Sequence, residues 1–300
     1  MARELNAEII SVDSALVYRG MDIGTAKPTE EEKAIVPHHL IDICEPWQSY
    51  SAARFVDDAC QAIASLREQG KRALLVGGTM LYYKALEEGL AELPDADAAL
   101  RKTLSAEADV RGWPAIHAEL ALVDADAAAR IHPNDPQRIQ RAMEVYRLTG
   151  TPMSELQRRT VSPLSQDPIK FSLIPRERAW LHERIQRRFD AMVNGGFLDE
   201  VRTLMNDDRN HLDLPAIRSV GYRQAWGYLQ STRNESSESV SDTDWVDKAV
   251  AATRQLAKRQ LTWLRGMHNV HAMECDVLSV SEQKGTMLKL LEQHGILKND

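Results

Sequence analysis

Two kinds of apolar pattern alternate along this 300-residue chain, short unbroken runs and longer stretches at helical spacing. Ile9-Ile10-Ser11-Val12 is a β-branched run ending at a carboxylate, Asp13, and reads as a buried strand of a parallel sheet. The preceding Ala2-Arg3-Glu4-Leu5-Asn6 reads as the last turn of a helix, with Asn6 as its stop. Pro37 to Ile43 predicts a short strand ending near Glu45-Pro46, and Lys71 to Thr79 a further strand ending in a glycine turn. Between them Phe55, Ala59, Ile63 and Leu66 recur at helical spacing, which predicts a helix from Ser51 to Gln69 capped by Ser49 or Ser51. Met80 to Glu88 continues as a helix. Strand, helix and strand in this order make a right-handed βαβ unit and therefore a parallel sheet.

From about Leu93 the pattern changes. Pro94-Asp95-Ala96-Asp97 opens an Ala-rich, charged, wholly helical region that runs to about Pro163. A strand signal returns at Ile169–Ile174, so the helical block is expected to be a subdomain inserted between strands of one sheet. The remainder is predicted to be mostly helical. Arg178 to Asn194 places Leu181, Ile185, Phe189 and Met192 on one face and stops at Gly195-Gly196. Another helix opens at residues 217–224, Ser231 to Asp244 reads as a flexible polar loop, Val246 to Arg265 is a long helix, and a last helix begins near Ser279. The expected division is 1–94 for the first part of an α/β core, 95–165 for the insertion and 166–300 for the rest of the core.

Composition narrows the class. With 43% apolar and 27% charged residues the chain has the make-up of a soluble globular protein. A net charge of −7 argues against indiscriminate coating of nucleic acid, but leaves room for a local basic groove. Cys44, Cys60 and Cys275 are scattered without a C-x-x-C pair, so neither a zinc site nor a disulfide framework is implied. No signal peptide or membrane-length apolar run is present, and the cytoplasm is the expected location.

Three features carry chemistry. Asp13 stands past the carboxyl end of a strand, where ligands of open α/β sheets bind, although capping of the next helix explains an Asp there equally well. Gly77-Gly78-Thr79 puts backbone amides and a hydroxyl at a helix N-terminus, suited to an anion such as phosphate or simply to a tight connection. The helix Val246–Arg265 carries Arg254, Lys258, Arg259 and Arg265 with no acid from Arg254 onward, either a face for an anionic partner or a solvated one.

Four stretches together point to one family: Asp13-Ser14-Ala15-Leu16 with Gly24-Thr25-Ala26-Lys27-Pro28; Gly77-Gly78-Thr79; Asp135-Pro136-Gln137-Arg138 with Arg141; and Gly221-Tyr222-Arg223 with the run from Arg254 to Arg265. Over nearly its whole length the chain resembles the tRNA dimethylallyltransferases, the bacterial isopentenyl-transfer enzymes. The resemblance implies transfer of a dimethylallyl group from dimethylallyl diphosphate to the exocyclic amine of the adenosine 3′ of the tRNA anticodon, with Mg²⁺ on the diphosphate. It also implies an α/β, P-loop-NTPase-like parallel sheet core with an inserted all-helical subdomain. Family members open with a strand and a phosphate-binding loop of the form G-x-T-x-x-G-K-S/T. No G-x-x-x-x-G-K-S/T occurs here, so the first strand and P-loop are expected to be missing, through a misplaced start or a truncation.

On this resemblance Asp13 is the expected general base, and Thr79 and Arg223 complete the catalytic set. Lys27, Thr79 and Arg223 are expected on the diphosphate, with no confident protein ligand for the metal. The expected tRNA contacts are Asp13, Ser14, Ala15, Leu16 and Thr79; Arg101; Gln137, Arg138, Ile139, Gln140 and Arg141; Ile217, Arg218, Ser219, Val220, Gly221, Tyr222 and Arg223; and Lys258, Arg259, Gln260, Leu261, Thr262, Trp263, Leu264 and Arg265. Trp263 suits stacking on a base, but a lone Trp on a helix fits a core aromatic better. The expected partners are the tRNA anticodon stem-loop and dimethylallyl diphosphate, with no membrane and a monomeric chain. Three alternatives stand beside this reading: a prenyltransferase of free adenosine nucleotides, a P-loop kinase, and an RNA-binding remnant without activity.

Overall fold

Strand β1 (Ala7–Val12) is the axis of a three-stranded parallel sheet, and it is almost wholly buried, as an unbroken β-branched run should be. The computed structural model describes residues 1–91, 93–158, 160–233 and 243–297. Ahead of β1 a single turn closes by Leu5 N–H to Met1 O, and Asn6 ends it at φ 47. After β1 the chain loops out through a short helix α1 (Glu30–Ile35), whose capping box joins Thr29 and Glu32, and returns as β2 (His38–His39). The expected strand at residues 37–43 is only these two residues. Leu40 and Asp42 take left-handed φ values of 63 and 56, which turns the chain off the ladder and lays Asp42 and Ile43 beside Leu16 and Val17.

Helix α2 (Ala52–Glu68), capped by Ser51, leads into β3 (Arg72–Gly77), which pairs with β1 from Ala7↔Arg72 to Val12↔Gly77. The order β2-β1-β3, with both pairings parallel, is that of a crossover unit. Helix α3 (Met80–Glu88) follows the glycine turn.

The chain divides into two compact units, Met1–Tyr83 with Gln166–Asp300, and Lys84–Ser165. The boundary falls within α3, earlier than residue 94. The second unit is all helical: α4 (Ala98–Arg111), α5 (Trp113–Val123), α6 (Ala125–Arg130), α7 (Pro136–Thr149) and α8 (Met153–Gln157). They enclose Leu104, Ile116, Leu120, Ile139 and Val145, all at zero exposure. Asp97, Asp124 and Asp135 each cap a helix with a carboxylate oxygen, as the short acids before apolar runs predict.

In the first unit, β4 (Lys170–Ile174) is followed by α9 (Arg178–Asn194), α10 (Phe197–Met205), α11 (Tyr222–Arg233) and α12 (Asp244–Gly266). A strand absent from the sequence reading, β5 (Val270–Glu274), then pairs in parallel with β4, and α13 (Val280–Gln293) closes the chain. Among the described residues β4 belongs to this separate two-stranded sheet, not to the sheet of β1 and β3. Leu5, Ala7 and Leu291 form one apolar cluster with Leu74, Ile169 and Phe171, which joins β1, β3 and α13 to β4 through side chains rather than a ladder. The expected flexible loop at 231–244 falls largely outside the described residues. No described helix is long and apolar enough to cross a membrane.

Candidate active site

Asp13 is the first residue past β1, and the neighbouring strand sets its surroundings. Gly77 lies opposite Val12, where any Cβ would overlap the Val12 carbonyl, so only glycine lets β3 end this close. Thr79 N–H then donates to Val12 O at 3.1 Å, bringing the Thr79 hydroxyl to Ser14. That hydroxyl accepts from Ser14 N–H at 3.0 Å and donates to Ser14 Oγ at 3.3 Å. Gln260 of α12 fastens the same turn, donating from Nε2 to Gly78 O at 2.9 Å.

No helix follows Asp13 for its carboxylate to cap; a turn follows instead. Asp13 Oδ1 accepts the Ala15 and Leu16 amides at 2.8 and 3.2 Å, a local turn cap that fixes the rotamer. Among the described residues Oδ2 accepts no protein hydrogen bond, so one oxygen is held and the other is available.

Two groups within electrostatic reach of Asp13 were not anticipated. Arg188 of α9 donates to Thr25 O at 3.1 Å. Burial by surrounding protein pushes its pKa below the usual arginine value, and the Asp13 charge opposes that shift. The residue nevertheless keeps solvent exposure. The signal was faint: Arg188 comes three residues after Ile185 and one before Phe189, at the margin of the buried face. The second group is aromatic. Tyr82 stacks on Phe55 at 4.2 Å and meets Tyr50 edge-on at 6.4 Å, with Tyr18 buried nearby. Burial pushes the Tyr18 hydroxyl up to about 12 and the Tyr82 hydroxyl higher still, the charges of Tyr18, Asp13 and Cys44 adding to the latter. These phenols stay neutral within the buried core.

Several expected ligands have other tasks. Lys27 is 3% exposed, and its ammonium donates to Tyr18 O at 2.7 Å, Asp22 Oδ1 at 2.6 Å and Asp42 Oδ1 at 2.5 Å. An ammonium has three donors, so none remains for a diphosphate. Ile139, Ile217 and Tyr222 are buried to 1% exposure or less and belong to the core, which removes their side chains from any tRNA surface. Gly221 is also buried, at φ +91. Arg101 and Arg141 both bind the fully buried Glu144, and Gln140 bonds Arg101 O and Ser105 Oγ, so all three are fastened within the helical unit. Trp263 is not a core residue, being 42% exposed.

Exposed positions are Ser14, Gln137, Arg138, Arg218, Arg223, Lys258, Arg259, Thr262 and Arg265, while Ala15, Leu16, Ser219, Val220, Gln260, Leu261 and Leu264 are half-buried. Arg223 projects from the first turn of α11 with no protein partner among the described residues. No described cluster of three or more His, Cys, Asp or Glu side chains could by itself hold a metal ion.

The model of the IPP transferase family matches residues 16–267. The chain belongs to that family. A tRNA dimethylallyltransferase of Stenotrophomonas maltophilia is 57% identical over 272 residues, covering 89% of this chain and 84% of the relative. The tRNA dimethylallyltransferase of Methylibium petroleiphilum is 54% identical over 286 residues, covering 94% and 86%. Among solved structures, the tRNA isopentenylpyrophosphate transferase of Bacillus halodurans is 38% identical with a TM-score of 0.67, covering 97% of this chain and 89% of that one. A eukaryotic dimethylallyltransferase acting on tRNA is 26% identical with a TM-score of 0.71, covering 88% and 64%.

Proposed function

We propose that this chain transfers a dimethylallyl group from dimethylallyl diphosphate to the exocyclic amine of the adenosine 3′ of the anticodon in tRNA. The observation that carries the site is Asp13, with Oδ1 held by two amides and Oδ2 open, next to the Thr79 hydroxyl and the Arg188 charge. An adenine amine is a poor nucleophile because its lone pair is delocalised into the ring. As nitrogen bonds to the allylic carbon, the carbon–oxygen bond to the diphosphate breaks, the diphosphate leaves with the electron pair, and Asp13 Oδ2 takes the amine proton. Proton removal of this kind contributes roughly 10²–10⁴-fold.

Charge grows on the departing diphosphate, and fixed donors aimed there stabilise the transition state more than the ground state. Arg188 takes this role in place of Lys27, joined by Thr79 and Arg223; arginine suits it because its planar fork donates two parallel hydrogen bonds. The hydroxyls of Ser14 and Thr79, 3.3 Å apart, fit a Mg²⁺ held mainly by diphosphate oxygens, the usual way this ion is bound. Bound there, it would neutralise part of the diphosphate charge.

The adenosine reaches Asp13 only if it leaves its stack, so the protein must hold a distorted loop by phosphate contacts and splayed bases. In the first unit Arg218, Arg223, Lys258, Arg259 and Arg265 are exposed for this, with Trp263 as a stacking surface. In the helical unit Gln137 and Arg138 are the exposed members of their motif.

Asp13→Asn tests the reading. Asparagine keeps an oxygen for the Ala15 and Leu16 amides, so the turn survives while the base is lost. Turnover is expected to fall by roughly 10²–10⁴-fold with tRNA affinity held within a few-fold. Retained turnover would show that Asp13 is not the base.

A further inference from the structure

The Gly24-Thr25-Ala26-Lys27-Pro28 segment is recognisable in the sequence, yet its one charge, on Lys27, is buried by partners within the protein. Glu200, one turn into α10, explains what it is for. Glu200 Oε2 accepts the backbone amides of Asp22 and Ile23 at 2.8 and 2.7 Å, and Oε1 accepts the Gly24 amide at 3.1 Å. The fourth acceptor site takes the Tyr222 hydroxyl at 2.5 Å. Three successive N–H groups converging on one point form a nest that ordinarily binds an external anion. Here a carboxylate of the same chain fills it.

The nest is closed from the other side by packing. A Cβ on Gly24 would stand 2.6 Å from Tyr222 Cζ and closer still to Phe197 Cε2, and those two rings meet edge-on at 5.0 Å. Inside the loop, Thr25 Oγ1 donates to Met21 O at 2.6 Å, Ala26 N–H to Ile23 O and Lys27 N–H to Asp22 O. These bonds tie the segment together, and its Thr25 carbonyl accepts a hydrogen bond from Arg188 at 3.1 Å.

We propose that Glu200 is a positioning residue for the transfer reaction: by docking the Asp22–Gly24 amides it fixes the Thr25 carbonyl, which aims the Arg188 guanidinium at the diphosphate. Arginine has five N–H donors, and one spent on Thr25 O leaves the rest of the fork oriented. A carboxylate is required because all four hydrogen bonds run toward it; in a glutamine, the side-chain NH₂ must oppose at least one of those amides. The proposal rests on the reading of Arg188 as a diphosphate ligand, and its test separates the two.

The full chain is assayed with tRNA and dimethylallyl diphosphate as wild type, Arg188→Ala, Glu200→Gln, Tyr222→Phe and the two doubles with Arg188→Ala. Misplacement of a catalytic group by about 1 Å costs up to about 100-fold, so Glu200→Gln is expected to lower kcat by about 10–100-fold with tRNA Kd held within a few-fold. In the Arg188→Ala background Glu200→Gln should cost no more than about twofold further, because the group it acts through is gone. Tyr222→Phe keeps all three amide bonds and the ring packing, and should give a smaller kcat loss with the same non-additivity. If Arg188→Ala lowers kcat but the doubles lose the full product of the single effects, Glu200 does not act through Arg188 and the proposal fails. If Arg188→Ala leaves kcat and the KM for dimethylallyl diphosphate unchanged, the diphosphate reading fails first. Should Glu200→Gln unfold the chain, the Tyr222→Phe cycle decides.

Discussion

Gly24→Ala is the smallest change that tests whether the Asp22–Pro28 segment is docked as described. Gly24 has no unusual φ, so alanine brings no backbone strain and the whole effect is steric. The added methyl would stand 2.6 Å from Tyr222 Cζ and nearer to Phe197 Cε2, against rings that are 1% and 0% exposed and locked edge-to-face. Overpacking of a tight core costs about 1–3 kcal/mol, and rigid rings place this case at the upper end. Moving the Tyr222 ring also pulls its hydroxyl from Glu200, about 1 kcal/mol more. The total, about 3–4 kcal/mol, corresponds to a fall in Tm of roughly 6–16 °C at about 2–4 °C per kcal/mol. Urea unfolding followed by tryptophan fluorescence measures it, since Trp245 packs on Phe197 and Phe189. Gly20→Ala is the control: its φ of +68 strains any side chain, but nothing lies within 4 Å, so it should cost only about 1–2 kcal/mol. Equal losses from the two variants, or a larger one at Gly20, would refute the docking of this segment.

Two further expectations concern charge. Burial alone would raise the Glu144 pKa, but hydrogen bonds from Arg101, Arg141 and the Asp97 amide outweigh it and hold the group below its usual 4.5. A carboxyl lowered on folding stabilises above its unfolded pKa and loses that contribution as pH falls through the folded value. Acid titration of Glu144→Gln by circular dichroism should therefore show a loss of about 2–3 kcal/mol at pH 7, with the difference from wild type shrinking below about pH 4.5; a constant difference across pH would rule the ion cluster out as its source. Lys258→Ala with Arg259→Ala should weaken tRNA binding and flatten the slope of log Kd against log salt by about 1–2, measured by filter binding at several ionic strengths. A change confined to diphosphate affinity would put these two residues in the wrong site.

What the sequence made legible follows the strength of local patterning. β1, α2, β3 and α9 lie within a residue or two of the periodicity, because each has an apolar face that must be buried and a cap or glycine that ends it. β5 escaped because Val-His-Ala-Met-Glu is a half-exposed edge ladder without an apolar run, and β2 shrank because positive φ at Leu40 and Asp42 is invisible to hydrophobic spacing. The same division governs the pocket. Asp13 could be placed at a strand end from the sequence, but whether it bonds to the turn after it or stays free required the geometry, which shows one oxygen doing each. The partners of Lys27, Asp22 and Asp42, meet it only in the folded chain, where hydrophobic spacing does not reveal them. Arg188 and Glu200 went unseen for the complementary reason: on helices, a polar residue at the margin of a buried face leaves no mark that separates it from a solvated one. The conspicuous motifs, Gly24 to Pro28 and Gly221 to Arg223, are conspicuous because glycine and close ring packing tolerate few substitutes. Much of what such motifs advertise is therefore the fastening of a loop, and the charges that the fastening aims have to be found in the structure.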